Sequence, residues 1–291
     1  MKQSHRKWIQ AAAALLSNPH WNGFRTGLVN RGEGKRLCVP GLNCYSCPGA
    51  AGSCPIGSLQ AVLGSRGKNF SFYVLGLLML FGVTMGRLVC GFLCPFGWFQ
   101  ELLHKIPGKK CRVPEKVDRP LRWVKYLILL VFVVLMPVFC TNALGIGAPA
   151  FCKYICPAGT LEGGIPMLLA NSTLRKAAGW LFSWKFLLLV LTVIGAVLIS
   201  RPFCKYVCPL GAFYGLFNRF SLYRMTLEQD KCIGCHKCDR VCQMNLRVPE
   251  QLDSAECIRC GACREVCPTG AISSGISLKQ PVPAHPKTEK T

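Results

Sequence analysis

A short motif, Cys-x3-Cys-Pro, occurs three times in this chain, each time directly after an apolar run. The three cysteine pairs are Cys90 and Cys94, Cys152 and Cys156, and Cys204 and Cys208. Cysteines four positions apart lie on one face of a helix or turn, so both thiolates of a pair can reach one metal centre. The proline is expected to end the local turn. The same unit closes the bacterial ferredoxin run, in which thiolates hold iron–sulfur clusters. The repeat therefore predicts metal centres beside membrane helices.

The composition argues against an ordinary soluble domain, because 51% of the 291 residues are hydrophobic and the mean hydropathy is +0.32. The net charge of +22 could indicate nucleic-acid binding. However, the basic residues concentrate in loops beside apolar segments, as they do in integral membrane proteins. We therefore expect a lipid membrane as the environment and no nucleic-acid partner.

Disulfides are the first alternative for a chain with 20 cysteines. They belong to small, secreted, loop-rich proteins, whereas most of these cysteines come in tight metal-ligand spacings. Disulfide bonding stays a stronger alternative for the isolated Cys38, Cys111 and Cys140.

Three apolar segments are long enough to cross a membrane, at residues 70–89, 121–140 and 180–200. Residues 8–29 are either a poorer span or part of a cleaved signal peptide. The short loop 92–122 has the densest Lys and Arg content, which places it in the cytoplasm. We expect about four spans in an inner cell membrane, with both termini cytoplasmic and residues 30–68 outside.

This topology divides the cysteines between the two membrane faces. A [4Fe–4S] cluster at the cytoplasmic ends of two spans would take Cys90, Cys94, Cys204 and Cys208. The outer candidates are Cys152, Cys156, Cys44, Cys47 and Cys54. A second cluster would take four of these five, with Cys38 as a further candidate, and the sequence does not say which four. A zinc site is the alternative there.

Two copies of Cys-x2-Cys-x2-Cys-x3-Cys follow the membrane segments and are the most specific signal in the chain. In two-cluster ferredoxins the fourth cysteine of each run ligates the other cluster. One cluster should therefore bind Cys232, Cys235, Cys238 and Cys267, and the other Cys257, Cys260, Cys263 and Cys242. Gln243 stands where the first run would have its proline.

The predicted fold class is mainly α, a polytopic membrane helix bundle with a small α+β ferredoxin-like cytoplasmic domain. The membrane domain covers residues 1–225, with the extracytoplasmic Cys-rich loop at 30–68. The ferredoxin-like domain covers 226–275. The tail 276–291 is rich in Lys and Pro and is predicted to be disordered.

Residues 70–272 resemble the polyferredoxin-like membrane proteins of the NapH/NosR/CcoG type. The six Cys-x3-Cys cysteines and the eight ferredoxin-type cysteines carry the resemblance. It implies a redox partner that links a quinone pool or cytoplasmic donors to another protein. The chain departs from the NosR pattern, because residues 30–68 are too short for an outer flavin domain. Its third Cys-x3-Cys-Pro and the Cys44–Cys54 group also set it apart from a NapH-like quinol role.

The main hypothesis is an electron-transfer component, not a stand-alone enzyme, that relays electrons through iron–sulfur centres along a path that can extend across the membrane. One alternative is a quinol dehydrogenase subunit whose head-group pocket would involve Trp98, Phe99, Glu101 and His104. Another is a redox or metal sensor that regulates a partner. The hydrocarbon core is about 30 Å thick, so clusters at its two faces would need to sit well inside the membrane or be bridged.

Overall fold

The computed structural model describes residues 3–65, 71–141 and 147–276. Helices dominate these ranges, with 60% of residues helical, so the prediction of a mainly α fold is confirmed. The predicted tail lies outside the described residues, apart from Ile276 at the end of a strand. Residues 66–68 of the predicted outer loop also lie outside them.

The helices of the first half alternate between long apolar segments and short pieces at the cysteine motifs. They are α1 (Gln3–Ser17), α2 (Asn22–Thr26), α3 (Pro55–Gly64), α4 (Phe72–Met85), α5 (Leu88–Phe92), α6 (Pro95–His104) and α7 (Glu115–Phe139). A 3-10 turn lies at Glu33–Arg36. The apolar part of α7 includes a π-helical stretch, Leu129–Leu135.

The second half of the bundle repeats this alternation. Its helices are α8 (Ala150–Tyr154), α9 (Pro157–Gly159 with the π-helical Thr160–Gly164 and then Ile165–Ala170), α10 (Ser172–Lys176), α11 (Trp180–Leu198), α12 (Pro202–Tyr206) and α13 (Pro209–Phe217).

The C-terminal part is a small α+β unit built on one antiparallel strand pair. The strands β1 (Tyr223–Leu227) and β2 (Ile272–Ile276) pair with Tyr223 opposite Ile276 and Leu227 opposite Ile272. Between them lie a 3-10 turn at Gln229–Lys231 and the helices α14 (Lys237–Val241), α15 (Val248–Gln251) and α16 (Ala262–Glu265). Met225, Val248, Leu252, Cys263 and Ile272 form its buried core.

Two helices, α7 and α11, are long and apolar enough to cross a membrane. Segment 70–89, predicted as one span, is instead interrupted, because α4 ends at Met85 and α5 starts at Leu88. Gly86 makes this break with φ of +55°, a conformation that L side chains rarely adopt. Of about four predicted spans, length and composition support two within the described residues, and the other two stay predictions.

Helix α1 lies along the bundle and touches both of its ends. At its start, Gln3 donates from Nε2 to the carbonyl of Cys260 in the small domain at 2.9 Å. Just after its last turn, Asn18 donates from Nδ2 to Oδ1 of Asn43 at 3.1 Å. The helix therefore runs from the ferredoxin-like domain to the loop that carries Cys44.

Helix α11 runs in the opposite direction. Near its start, Lys185 donates to the carbonyl of Cys152 at 3.1 Å. At its end, the carbonyl of Leu198 accepts from the backbone N–H of Cys111 at 2.9 Å. The two ends of α11 therefore lie beside the second cysteine pair and beside the basic loop.

Helices α4 and α7 also reach the small domain with one end. The carbonyl of Met85, the last residue of α4, accepts from Arg259 at 3.2 Å. Near the start of α7, Arg122 donates to the carbonyl of Met244 at 3.0 Å. All four helices are thus arranged along one axis with the small domain at one end.

Candidate metal centres

Each Cys-x3-Cys-Pro folds as a short helix, a turn and a second helix. The first cysteine lies in α5, α8 or α12, and the second caps the N-terminus of the helix that follows. The proline takes the first helical position, where its missing N–H costs nothing. It therefore begins a helix, in addition to ending the turn as predicted. Cys54 and Pro55 start α3 in the same way, so four Cys-Pro steps begin helices.

A glycine follows each of these four steps at the same position. In the third motif the backbone N–H of this glycine, Gly211, donates to the sulfur of Cys208 at 3.4 Å. The N–H groups of Gly57, Gly97 and Gly159 lie near the sulfurs of Cys54, Cys94 and Cys156 and favour their charged form, without a hydrogen bond of the same geometry. The N–H groups and the positive end of the helix dipole favour negative charge on these sulfurs. The Cys-Pro-x-Gly unit is therefore suited to a thiolate that ligates a metal.

The proximal site, the one nearer the ferredoxin-like domain, consists of Cys90, Cys94, Cys204 and Cys208. All four side chains are buried. The sulfur of Cys208 lies within electrostatic range of the other three. The structure thus brings together the four cysteines that the sequence predicted as one cluster site.

Two buried arginines connect the two cysteine pairs of the proximal site through hydrogen bonds. Arg201 donates to the carbonyl of Cys90 at 2.7 Å, and Arg87 donates to the carbonyl of Cys204 at 3.1 Å. Each arginine stands three residues before one pair and contacts the other. Both carry full charge beside the sulfurs, which favours a negatively charged centre. Sequence reasoning missed them, although their equal spacing before both pairs was a usable signal.

Carboxylates from other elements balance these charges. Glu256, next to Cys257 in the small domain, accepts from Arg87 at 2.8 Å. Glu101 in α6 accepts from Arg201 and also from Arg6 of α1, at 2.8 Å for Arg6. The proximal site is therefore tied to both the ferredoxin-like domain and the first helix.

The distal site consists of four cysteines from three parts of the chain, which are Cys44, Cys54, Cys152 and Cys156. The sulfur of Cys156 lies within electrostatic range of the other three. The fifth candidate, Cys47, points elsewhere and donates to Oδ1 of Asn18 at 3.5 Å. Cys38 pairs with the hydroxyl of Ser53 at 3.2 Å. The structure thus brings four of the candidate thiols together and gives Cys47 and Cys38 other hydrogen-bond partners.

The distal site has the shape of a cradle lined by two glycines. A Cβ on Gly57 would lie 3.7 Å from Sγ of Cys152, and one on Gly159 would lie 3.7 Å from Sγ of Cys44. Glycine here lets backbone N–H groups approach the sulfurs. Within residues 3–65, 71–141 and 147–276, no group of three or more His, Cys, Asp or Glu side chains is set to hold a single metal ion. Four thiols around one cradle are the ligand set of a [4Fe–4S] cluster and also of a tetrahedral zinc ion.

The eight ferredoxin-type cysteines divide into two groups, each lining its own cavity. One cavity is lined by Cys232, Cys235, Cys238 and Cys267, and the other by Cys242, Cys257, Cys260 and Cys263. Each group contains the fourth cysteine of the other run, as the sequence predicted. Burial raises the pKa of the Cys257 thiol to about 12. Such a thiol ligates when the charge of a metal replaces its proton.

The second ferredoxin-type group lies directly against the proximal site. A Cβ on Gly91, within the first motif, would approach the carbonyl of Ile258 to 2.5 Å. Ile258 follows Cys257 in the chain, so the backbones of the two sites are in contact. A glycine and an isoleucine are too common in sequences for this contact between Gly91 and Ile258 to be predicted.

The proximal and distal sites are also close together. A Cβ on Gly41 would lie 2.9 Å from the Cα of Cys94. Cys44 follows only three residues later, and consecutive Cα atoms are about 3.8 Å apart, so the Cα atoms of Cys94 and Cys44 are at most about 16 Å apart. Tyr214 is buried beside them, and its hydroxyl donates to the carbonyl of Pro40 at 3.0 Å. The sites are thus far closer than two faces of a bilayer.

The proposed quinol head-group pocket is only partly present. A cavity of about 370 Å³ is lined by Glu101 and His104 but not by Trp98 or Phe99. Both oxygens of Glu101 accept from arginine, so its carboxylate is already engaged. The cavity wall is otherwise strongly basic, through Lys7, Lys105, Lys110, Arg112, Lys205 and Arg240.

No disulfide joins any of the 20 cysteines, all of which lie within the described residues. Cys111 and Cys140 are exposed and belong to none of the four groups. They lie beyond the two ends of α7.

Two family models match the chain, and each is described as a 4Fe–4S binding domain. One matches residues 250–273, over the second ferredoxin-type run. The other matches three times, at residues 70–114, 124–169 and 180–225, and each match contains one Cys-x3-Cys-Pro.

Curated relatives cover most of the chain. Two uncharacterized proteins of Methanocaldococcus jannaschii are 30% identical, one over 200 residues (67% of this chain and 66% of the relative) and one over 210 (70% and 78%). The Escherichia coli protein YccM, whose name proposes a role in electron transport, is 28% identical over 217 residues, which is 72% of this chain and 55% of YccM. No solved structure matches.

Proposed function

Because this chain belongs to the NapH/NosR class of ferredoxin-type 4Fe–4S electron transport proteins, we propose that it relays electrons through four [4Fe–4S] clusters along a membrane helix bundle. A bound cluster supplies one-electron chemistry, and the protein sets its position and potential. The proposed ligand groups are Cys232, Cys235, Cys238 and Cys267; Cys242, Cys257, Cys260 and Cys263; the proximal site; and the distal site.

The close approach of Gly41 to Cys94 carries this proposal. It brings the two membrane-domain sites within about 16 Å between Cα atoms. A single hop across the hydrocarbon core of about 30 Å is then unnecessary. The contact of Gly91 with Ile258 supports the next step in the same way, since it joins the proximal site to the second ferredoxin-type group.

In the proposed relay the four sites follow one order along the axis of the bundle. The group with Cys232 comes first, followed by the group with Cys242, the proximal site and the distal site. Cys232 and Cys235 are exposed, whereas the cysteines of the proximal site are buried. Electrons therefore enter or leave by a redox partner protein at the exposed end, and the buried sites exclude water from the relay.

We propose that the ferredoxin-like domain and both termini are cytoplasmic in a multi-pass inner-membrane protein. The loop between α6 and α7, together with the first turns of α7, carries seven Lys or Arg residues between positions 105 and 122. It lies beside the small domain, where Asn245 donates to the carbonyl of Val113 at 3.1 Å. The positive-inside rule then places this end of the bundle in the cytoplasm. The distal site lies toward the opposite face, where a second partner or a quinone could exchange electrons.

The test is the stoichiometry of iron and acid-labile sulfide in protein purified under anaerobic conditions. Four cubane clusters predict about 16 iron atoms per chain. Cys152→Ser should lower this value by about four and remove one EPR signal from the reduced protein. A wild-type value near eight would restrict the clusters to the ferredoxin-like domain and would contradict the relay.

A further inference from the structure

Gln60 makes three hydrogen bonds that tie the distal site together. It lies in α3, six residues after Cys54. Its Nε2 donates to Sγ of Cys152 at 3.3 Å and to the carbonyl of Ile56 at 3.2 Å. Its Oε1 accepts from the backbone N–H of Phe151 at 3.0 Å. One side-chain amide thus links the helix after Cys54 to the motif that carries Cys152.

Gln100 makes the same three bonds in the proximal site. It lies in α6, six residues after Cys94. Its Nε2 donates to Sγ of Cys204 at 3.1 Å and to the carbonyl of Phe96 at 3.3 Å. Its Oε1 accepts from the backbone N–H of Phe203 at 3.1 Å. The two membrane-domain sites are therefore related by the same local geometry.

The orientation of both amides is fixed by their partners. A backbone N–H can only donate, so the atom facing Phe151 or Phe203 must be the amide oxygen. The nitrogen then faces the sulfur in both sites. Gln60 and Gln100 are fully buried, and no water can replace the bond that they make to sulfur.

We propose that Gln60 and Gln100 are matched positioning residues that hold the thiolates of Cys152 and Cys204 and raise the reduction potentials of the distal and proximal clusters. This inference rests on the proposed function. Reduction adds negative charge to a cluster and its sulfurs, so an N–H donor to sulfur stabilises the reduced form more than the oxidised form. Loss of the donor should therefore lower the potential of one cluster.

The experiment is an EPR-monitored redox titration of the anaerobically purified full-length protein. Gln60→Glu and Gln100→Glu keep an oxygen that accepts from Phe151 or Phe203 and, at a pH at which the carboxyl is ionised, have no donor to sulfur. Gln60→Leu and Gln100→Leu remove both. The control is Gln229→Leu, because Gln229 is exposed and remote from both sites.

Each glutamine should control one cluster only. Variants of Gln60 should lower the potential of the signal that Cys152→Ser removes, and variants of Gln100 that of the signal that Cys204→Ser removes. Titrated at a pH at which their carboxyl is ionised, the glutamate variants should shift the potential furthest, because they add a negative charge beside the sulfur. Full iron content with unchanged potentials would overturn the inference and leave the proposed relay intact.

A second measurement decides the matter if the variants lose iron. Wild-type protein labelled with ¹⁵N in the glutamine side-chain amide should show ¹⁵N hyperfine coupling to two reduced clusters. Gln60→Leu and Gln100→Leu, where they fold, should each remove one coupling. Wild-type protein that holds four clusters but shows no such coupling would overturn the inference. A wild-type protein without membrane-domain clusters would instead contradict the proposed function.

Discussion

Gly41 lies so close to Cys94 that a Cβ on the glycine would be 2.9 Å from the Cα of the cysteine and 3.0 Å from the carbonyl of Leu93. Both neighbours are backbone atoms, which cannot move away as a flexible side chain would. The loop before Cys44 is therefore pressed against the N-terminus of α6. This contact sets the separation of the proximal and distal sites.

Gly41→Ala should destabilise the protein by about 1–3 kcal/mol, because the added methyl overpacks a rigid contact. It should also reduce the iron content. Gly76→Ala is the control, since nothing lies within 4 Å of a Cβ there and alanine favours the helix α4. Thermal unfolding in detergent, with iron analysis of the same samples, provides the measurement. Equal melting temperatures for the two variants would contradict this role of Gly41.

Cys44→Ser should lose about four iron atoms per chain, whereas Cys47→Ser should lose none. The reason is that Cys44 faces the distal site and Cys47 bonds to Asn18 instead. The two cysteines are three residues apart in one loop, so each is a control for the other. Iron loss in both variants, or in Cys47→Ser alone, would show a different ligand set.

Cys242→Ser should remove the same EPR signal as Cys257→Ser and leave the signal that depends on Cys232. The prediction follows from the cavity that Cys242 shares with Cys257, although Cys242 belongs to the first run in sequence. EPR of the reduced variants, with spin counting, is the measurement. Loss of the signal shared with Cys232 would mean that the fourth cysteine does not cross.

Glu101→Gln should destabilise the protein by about 3–5 kcal/mol, because it leaves Arg6 and Arg201 buried without their carboxylate. Burial alone raises the pKa of Glu101, but Arg201 and Arg6 outweigh it and leave that pKa below its usual range. The contribution of the ionised Glu101 carboxylate to the free energy of unfolding is therefore complete above the carboxyl's unfolded pKa of about 4.3. It is lost as the pH falls through the lower pKa of the folded state.

The matched control is Glu33→Gln, since the pair of Glu33 with Arg36 is more than three-quarters exposed on both sides. Such a pair contributes about 0–1 kcal/mol. Chemical unfolding at neutral pH compares the two variants. A similar loss of unfolding free energy in both variants would mean that the buried triad of Arg6, Glu101 and Arg201 stabilises the protein no more than a surface pair does.

The sequence predicted which cysteines the fold brings together wherever they were close together in the chain. The ferredoxin-type runs and the pairs at 90 and 204 carry their spacing in the sequence, and membrane topology brought the pairs together. The Cys-Pro-x-Gly at Cys54 also matches the other three copies, but its partner Cys44 is ten residues earlier, outside the x3 spacing. Only the tertiary path of the loop distinguishes Cys44 from Cys47.

Other features depend on contacts between distant segments and leave little trace in the sequence. The hydropathy of residues 70–89 predicts one span, but the helix breaks at Gly86 so that the backbone of Arg87 can donate to Asn218 at 3.1 Å. The hydropathy pattern does not show such a break, because the helices on its two sides, α4 and α5, are equally apolar. Gln60 and Gln100 are likewise ordinary helix residues in sequence, and only their position against the opposite motif gives them a role.

Cys111 and Cys140 test the orientation of the bundle, because both are exposed, free and outside every ligand group. They lie beyond opposite ends of α7, with Cys111 beside the basic loop and Cys140 directly after Phe139. A membrane-impermeant maleimide should therefore label Cys140 in intact spheroplasts and Cys111 only in inverted vesicles. Cys111→Ser and Cys140→Ser identify each labelled thiol by mass. Labelling of both from one side would mean that α7 does not cross the membrane, and the reverse pattern would place the ferredoxin-like domain outside the cell.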